Sequence, residues 1–216
     1  MNRLAFFLSI AVFSSCLNQN NNSFVPEVDL SIYEQNDIFD LDSIIENDNL
    51  PQWLFAYFAG SNAAVERLEA FRNKYIFIGE NEGLNLQALE RWAGNYSPSF
   101  DFPMLAAARV ERRMIATSSL YPDDEYGAFF EAMVKNASGT LYPGAEKTES
   151  HWVRYLNYDS DETVQKYKFF ILITIDRSYM QVILRDVMTR SNSGIRVTPA
   201  QNIAINRLRQ NFFEGF

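Results

Sequence analysis

Few residues in this chain have the types and spacing to do chemistry. Its 216 residues hold one cysteine, Cys16, and one histidine, His151. A disulfide or a Cys/His metal cluster needs more of them, and the part after the N-terminal arm has no cysteine to pair with His151 as a nucleophile. His151 has no Ser or Asp in a recognisable partner motif and reads as a surface or packing residue. Asp123, Asp124 and Glu125 stand together as metal ligands would. No second carboxylate cluster completes a cage, and the three suit the positive end of the helix that follows. Arg109, Arg112 and Arg113 crowd one side of a predicted helix. They are the candidate partner surface, able to meet an anionic headgroup or an acidic segment, with a solvated helix face as the plainer reading. No catalytic residue, metal ligand or cofactor is expected.

A scaffold has to position these groups, and its centre reads from Val164 to Asp176, VQKYKFFILITID. β-Branched and aromatic residues fill this run without Pro or Gly, and apolar side chains fall on both faces, so it is expected as a central strand covered on both sides. His151 to Tyr158 reads as the strand before it, with Asp159-Ser160-Asp161-Glu162 as the loop of a hairpin. Lys74 to Gly79 reads as a further short strand closed by its glycine. Gly60-Ser61-Asn62 reads as the cap of a helix carrying Ala64, Val65, Leu68 and Phe71. Leu84 to Asn95 repeats helically, and Pro98 and Pro103 then break the pattern. Pro103 is expected to open the next helix, whose buried side is Met104, Ala107, Ala108, Val110, Met114 and Ile115. Tyr126, Phe129, Phe130, Met133, Val134 and Ala137 recur at helical spacing, and Gly139 ends them. Ser178 to Gln181 and Thr198 to Gln201 read as capping boxes opening two more helices, with Ser191 to Gly194 as the loop between them. The terminal Phe212 to Phe216 is expected to dock on the core. The fold class is therefore α+β: a small antiparallel sheet of about three strands packed by several helices.

The totals agree with one domain plus an arm. Apolar residues make up 47% of the chain, enough to bury a core without disulfides or metal. The net charge of −8 argues against general nucleic-acid affinity, which needs a basic footprint. That charge sits mostly between Leu17 and Leu50, which hold eight acids and no Lys or Arg, leaving the rest close to neutral. Within this segment LNQNNNS reads as a disordered tether. Phe24 to Leu50 reads as an acidic arm laid over its own domain, the alternative being a partner-binding segment that orders on contact.

At the N-terminus one basic residue, Arg3, precedes a mostly apolar run from Leu4 to Phe13, then Ser14-Ser15-Cys16. As a helix that run rises roughly 15 Å, about half a hydrocarbon core, which suits a signal peptide and not a span. It resembles a bacterial lipoprotein signal, with Phe13 where Leu is usual. The resemblance implies removal of residues 1–15 and a diacylglycerol-modified Cys16, followed by a flexible arm over 16–50 and a single α+β domain over 51–216. Pro51-Gln52-Trp53-Leu54, Tyr75 to Gly79, Trp152, and Tyr167 to Asp176 running into a helix resemble the twenty-kilodalton bacterial outer-membrane lipoprotein family, relatives of flagellar accessory lipoproteins. That likeness implies a small sheet packed by helices, an outer-membrane address facing the periplasm, a membrane contact through Cys16, and a non-enzymatic structural or assembly role with a protein partner or with itself. Two other functions stand beside it. The chain's 18 Phe and 11 Tyr would also suit a carrier or sensor of an apolar ligand, and two carboxylates meeting in a cleft would suit a hydrolase.

Overall fold

The structure, a computed structural model, describes residues 44–46, 50–118, 127–159, 162–193 and 198–216. The expectations placed on Cys16, on the arm as far as residue 43, on Asp123 to Glu125 and on Ser160-Asp161 lie outside the described residues. Four strands form one antiparallel sheet: β1 (Ile44–Glu46), β2 (Lys74–Gly83), β3 (Glu146–Asp159) and β4 (Glu162–Asp176), in the order β1-β3-β4-β2. β4 is an inner strand, as its two apolar faces require: it pairs with β2 from Tyr167↔Gly83 to Asp176↔Lys74 and with β3 from Glu162↔Asp159 to Thr174↔Glu146. The three strands read from the sequence are all present. β1 is an addition ahead of Pro51, with Ile44 opposite Tyr155 and Glu46 opposite Arg154. β2 continues through Gly79 to Gly83, because unbroken pairing with β4 outweighs a local glycine signal.

Among the described residues six α-helices cover this sheet: α1 (Gln52–Val65), α2 (Leu86–Asn95), α3 (Pro98–Ser118), α4 (Gly127–Ser138), α5 (Arg177–Asn192) and α6 (Pro199–Asn211). Strand alternation divides them between two faces. Tyr75, Phe77, Phe169, Ile171, Ile173 and Ile175 pack against residues of α2 to α6. Ile76, Ile78, Phe170, Leu172 and Val153 pack against Trp53, Leu54 and Val65 of α1 and against Phe71. Of the described helices, one therefore covers one face and five cover the other.

Several helix boundaries differ from the expected ones, for physical reasons. Gly60-Ser61 is a kink inside α1, with Ser61 in the left-handed region at φ 63°, and not a cap. Trp53, Leu54, Tyr57 and Phe58, at helical spacing, seek the α1-side core and draw the chain into a helix from Gln52. Leu68 and Phe71 follow on a short 3-10 turn, Glu69–Phe71. Pro98, not Pro103, opens α3, where its missing N–H costs nothing. The buried line of α3 is Phe102, Ala106, Ala107, Val110 and Met114, which leaves Met104 and Ile115 exposed. Ser178 does not cap α5. β4 runs straight into that helix, and the Asp176 carboxylate accepts from Tyr179 N at 3.1 Å while Gln181 donates to the Tyr75 hydroxyl at 3.1 Å. α5 also runs through Ser191 and Asn192, where a loop was expected: the Ser191 hydroxyl is buried and donates to Val187 O at 2.7 Å. The Thr198 capping box is present, with Gln201 N donating to Thr198 Oγ1 at 3.2 Å and Thr198 N donating to Gln201 Oε1 at 2.8 Å. The terminal aromatics dock: Phe216 lies edge-on to Tyr75, with centroids 5.1 Å apart, and stacks on Phe212.

Candidate functional site

The densest polar constellation sits at the β2 edge of the sheet. Glu66, the residue that ends α1, is buried, and its Oε1 accepts from Arg109 Nη1 at 2.7 Å and from Ile76 N at 3.0 Å. Arg109 also donates to Ile76 O at 3.0 Å, and Arg177 Nη2 reaches Glu66 Oε2 at 2.9 Å. Both hydrogen-bonding groups of one edge residue are thus taken by side chains, which denies that position to a foreign strand. The Arg109 guanidinium lies 4.8 Å from the Tyr75 ring centre, 5.2 Å from Phe77 and 4.9 Å from Phe216, and Arg177 lies 4.7 Å from Tyr75. These ring faces stabilise cations held away from water. Glu66 comes from the α1 side and Arg109 from α3 on the other side, so the pair clamps the two layers together past the sheet edge. Its chemistry is structural: each carboxylate oxygen is occupied by protein donors.

The arginine cluster read from the sequence is divided by this arrangement. Arg109 belongs to the clamp. Arg113 donates from Nε to Phe212 O at 2.7 Å and from Nη2 to Asn211 O, holding the end of α6 and satisfying carbonyls that a helix terminus leaves open. Arg112 is exposed on α3, with Nε bonded to Ala108 O at 3.4 Å. Its charge also acts on Tyr57, opposing the rise in that tyrosine's pKa. His151 is half-buried on the α1 side of β3, opposite Phe170, and burial lowers its pKa.

A shallow cleft of about 580 Å³ lies at the start of α1, lined by Pro51, Trp53, Leu68, Phe71, Glu69 and Glu149, among others. It brings two carboxylates to one rim. Both have local structural partners: Glu149 Oε2 accepts from Trp53 Nε1 at 2.7 Å, and Glu69 pairs with Arg72. Nearby, the Tyr57 hydroxyl donates to Glu80, which also pairs with Lys168 at 2.8 Å; burial first, and the Glu80 charge second, push the tyrosine pKa far up. Among the described residues no three His, Cys, Asp or Glu side chains gather as a metal centre requires.

The other notable surface is apolar. Phe100 is 83% exposed and Met104 65% exposed, one turn apart on α3, with Ala108 and Arg112 at the next two steps of four residues. Sequence reasoning placed Met104 in the core and missed Phe100, because the true buried line could be drawn only once the helix was known to start at Pro98. It also missed Glu66 and Arg177, which lie 43 and 111 residues from their partners Arg109 and Glu66. No protein-family model, curated protein or solved structure matches this chain.

Proposed function

We propose that this chain is a bacterial envelope lipoprotein, anchored through Cys16, whose folded domain works by binding protein and not by catalysis. The address rests on the sequence: Arg3, the apolar run to Phe13, the small residues Ser14 and Ser15 and then Cys16. Covalent lipid contributes about 0.8 kcal/mol per buried CH₂, so a multiply acylated cysteine holds a protein where a single chain would not.

The observation that carries the binding role is the exposed pair Phe100 and Met104 along α3. Burying a large apolar side chain stabilises a complex by roughly 1.5–3 kcal/mol, and two of them spaced one turn apart suit an apolar partner segment. The envelope address and assembly role also agree with the resemblance of Pro51 to Leu54, Tyr75 to Gly79 and Tyr167 to Asp176 to outer-membrane lipoproteins.

Native mass spectrometry of the full chain, extracted gently from its own cells, tests this reading. Acyl mass on Cys16 together with a second protein, or with further copies of the chain, is the expected result. A lone chain carrying a small apolar ligand would replace it with the carrier function, and a lone empty chain would count against a stable partner.

A further inference from the structure

Six methionines occur in the chain, and all but Met1 lie in α3, α4 and α5. Four of these are core residues: Met114, Met133 and Met180 are fully buried, and Met188 is 2% exposed. Met104 is the exception at 65%. Its place on α3 explains why. The buried line of that helix passes through Phe102, Ala106, Val110 and Met114, and Met104 falls off it, one turn after the exposed Phe100. A flexible thioether contributes most where it fills gaps in a core, so one held in solvent beside an exposed ring is out of its usual setting.

We propose that Met104 is a site of reversible oxidation by hydroperoxides, and that its oxidation switches off the contact made through Phe100 and Met104. The site stands on the contrast in exposure, whereas the switch rests on the binding role proposed above. The reaction is a two-electron oxygen transfer. A lone pair on the Met104 sulfur attacks one peroxide oxygen, and an S–O bond forms as the O–O bond breaks. The leaving oxygen takes the proton from the transferred one, which gives water when the oxidant is hydrogen peroxide. Sulfur is oxidised, the peroxide is reduced, and the side chain stays neutral. The step needs no catalytic group, only access, and the fold gives access to Met104 and withholds it from the other four. Those sulfurs meet oxidant only when the core opens, a state that holds roughly one chain in a thousand or fewer.

Two features make this change a switch and not damage. The product is polar and chiral where the thioether was apolar, and reductases return it to the thioether. Beside Phe100, which is 83% exposed, the new S=O dipole holds water that an apolar partner segment would have to strip away. The Met104 side chain also lies outside the core, so α3 stays docked through Phe102, Ala106 and Val110 whichever form is present.

The test treats the full-length chain, extracted gently from its own cells, with hydrogen peroxide and follows added oxygen on each methionine by peptide mass spectrometry. Oxygen is expected on Met104 at least about tenfold faster than on Met114, Met133, Met180 or Met188, with the melting curve unchanged. Co-extracted partner is expected to fall at least about tenfold in the oxidised chain and to return after treatment with methionine sulfoxide reductase. Met104→Leu keeps the partner through the same oxidation, and Met104→Gln, polar without any oxidant, loses it. Oxygen added to the buried methionines as fast as to Met104 overturns the selective site. Selective oxidation with the partner fully retained overturns the switch. A chain that emerges alone before any oxidant is added overturns the binding role and the switch with it, a result distinct from the other two.

Discussion

At the scale of single residues, the Glu66 clamp is where the fold is most exposed to damage. Breaking a buried ion pair by removing one partner costs roughly 3–5 kcal/mol, because the remaining charge stays buried and unpaired. Glu66→Ala is therefore expected to lose about 3 kcal/mol in urea unfolding, whereas Glu66→Met combined with Arg109→Met loses less than the two single changes added together. A strictly additive double mutant would show that Glu66 and Arg109 do not act as a pair. His151 gives a pH signature. Burial lowers its pKa in the folded chain below the ordinary 6.5, so between the two values the unfolded chain binds more protons and stability falls as pH falls. The loss in unfolding free energy between about pH 7.5 and about pH 5.5 is expected to shrink in His151→Gln, and an unchanged loss would assign the slope to other groups. Asp176 acts in the same direction at lower pH: hydrogen bonds from Ser178 and from Tyr179 N depress its pKa, so what it contributes is present above the ordinary carboxylate range and fades as acid protonates it.

At the scale of elements, local rules worked where the local signal had no competitor. The Thr198 box formed because Thr, Pro and Gln stand in the required order with nothing else for their side chains to do. Thr198→Ala is expected to cost about 1 kcal/mol, read by chemical denaturation, while leaving α6 in place through Ile205 and Leu208. Ser178 to Gln181 shows the same letters failing. Asp176, delivered to the helix entrance by β4, took the cap, and Gln181 found the Tyr75 hydroxyl from a different strand. Gly60 and Pro103 are punctuation that tertiary packing overrode. A kink absorbed the first, and a helix that begins at Pro98 absorbed the second.

At the scale of the whole molecule, the sheet separates two surfaces. α1 lies on one side, and α3 with its exposed Phe100 and Met104 lies on the other. If α3 carries the partner, Phe100→Asp with Met104→Asp abolishes co-extraction of that partner while changing stability by less than about 0.5 kcal/mol, as expected for exposed positions. A matched melting curve with full retention of the partner would move the interface elsewhere. The sheet edges also bear on assembly. Ile76 on β2 is closed by Glu66 and Arg109, which directs any self-association toward side-chain surfaces and away from strand addition there.

By itself the sequence determined what depends on neighbours a few residues away: the central strand from Val164 to Asp176, the hairpin before it, helical periodicity from Phe129 to Ala137, the Thr198 cap, and hence the α+β class. It also displayed the acidic stretch before Pro51 and the single cysteine behind an apolar run. Tertiary structure alone decided what the α3 arginines hold, since Arg109 and Arg113 found partners at Glu66 and at the end of α6. It likewise decided that Ile44 to Glu46 joins the sheet beside β3 and that Phe100 stays outside the core. These outcomes depend on burial and on pairing across tens of residues, where the free energy of a contact is set by what else lies there and no window of sequence contains both partners.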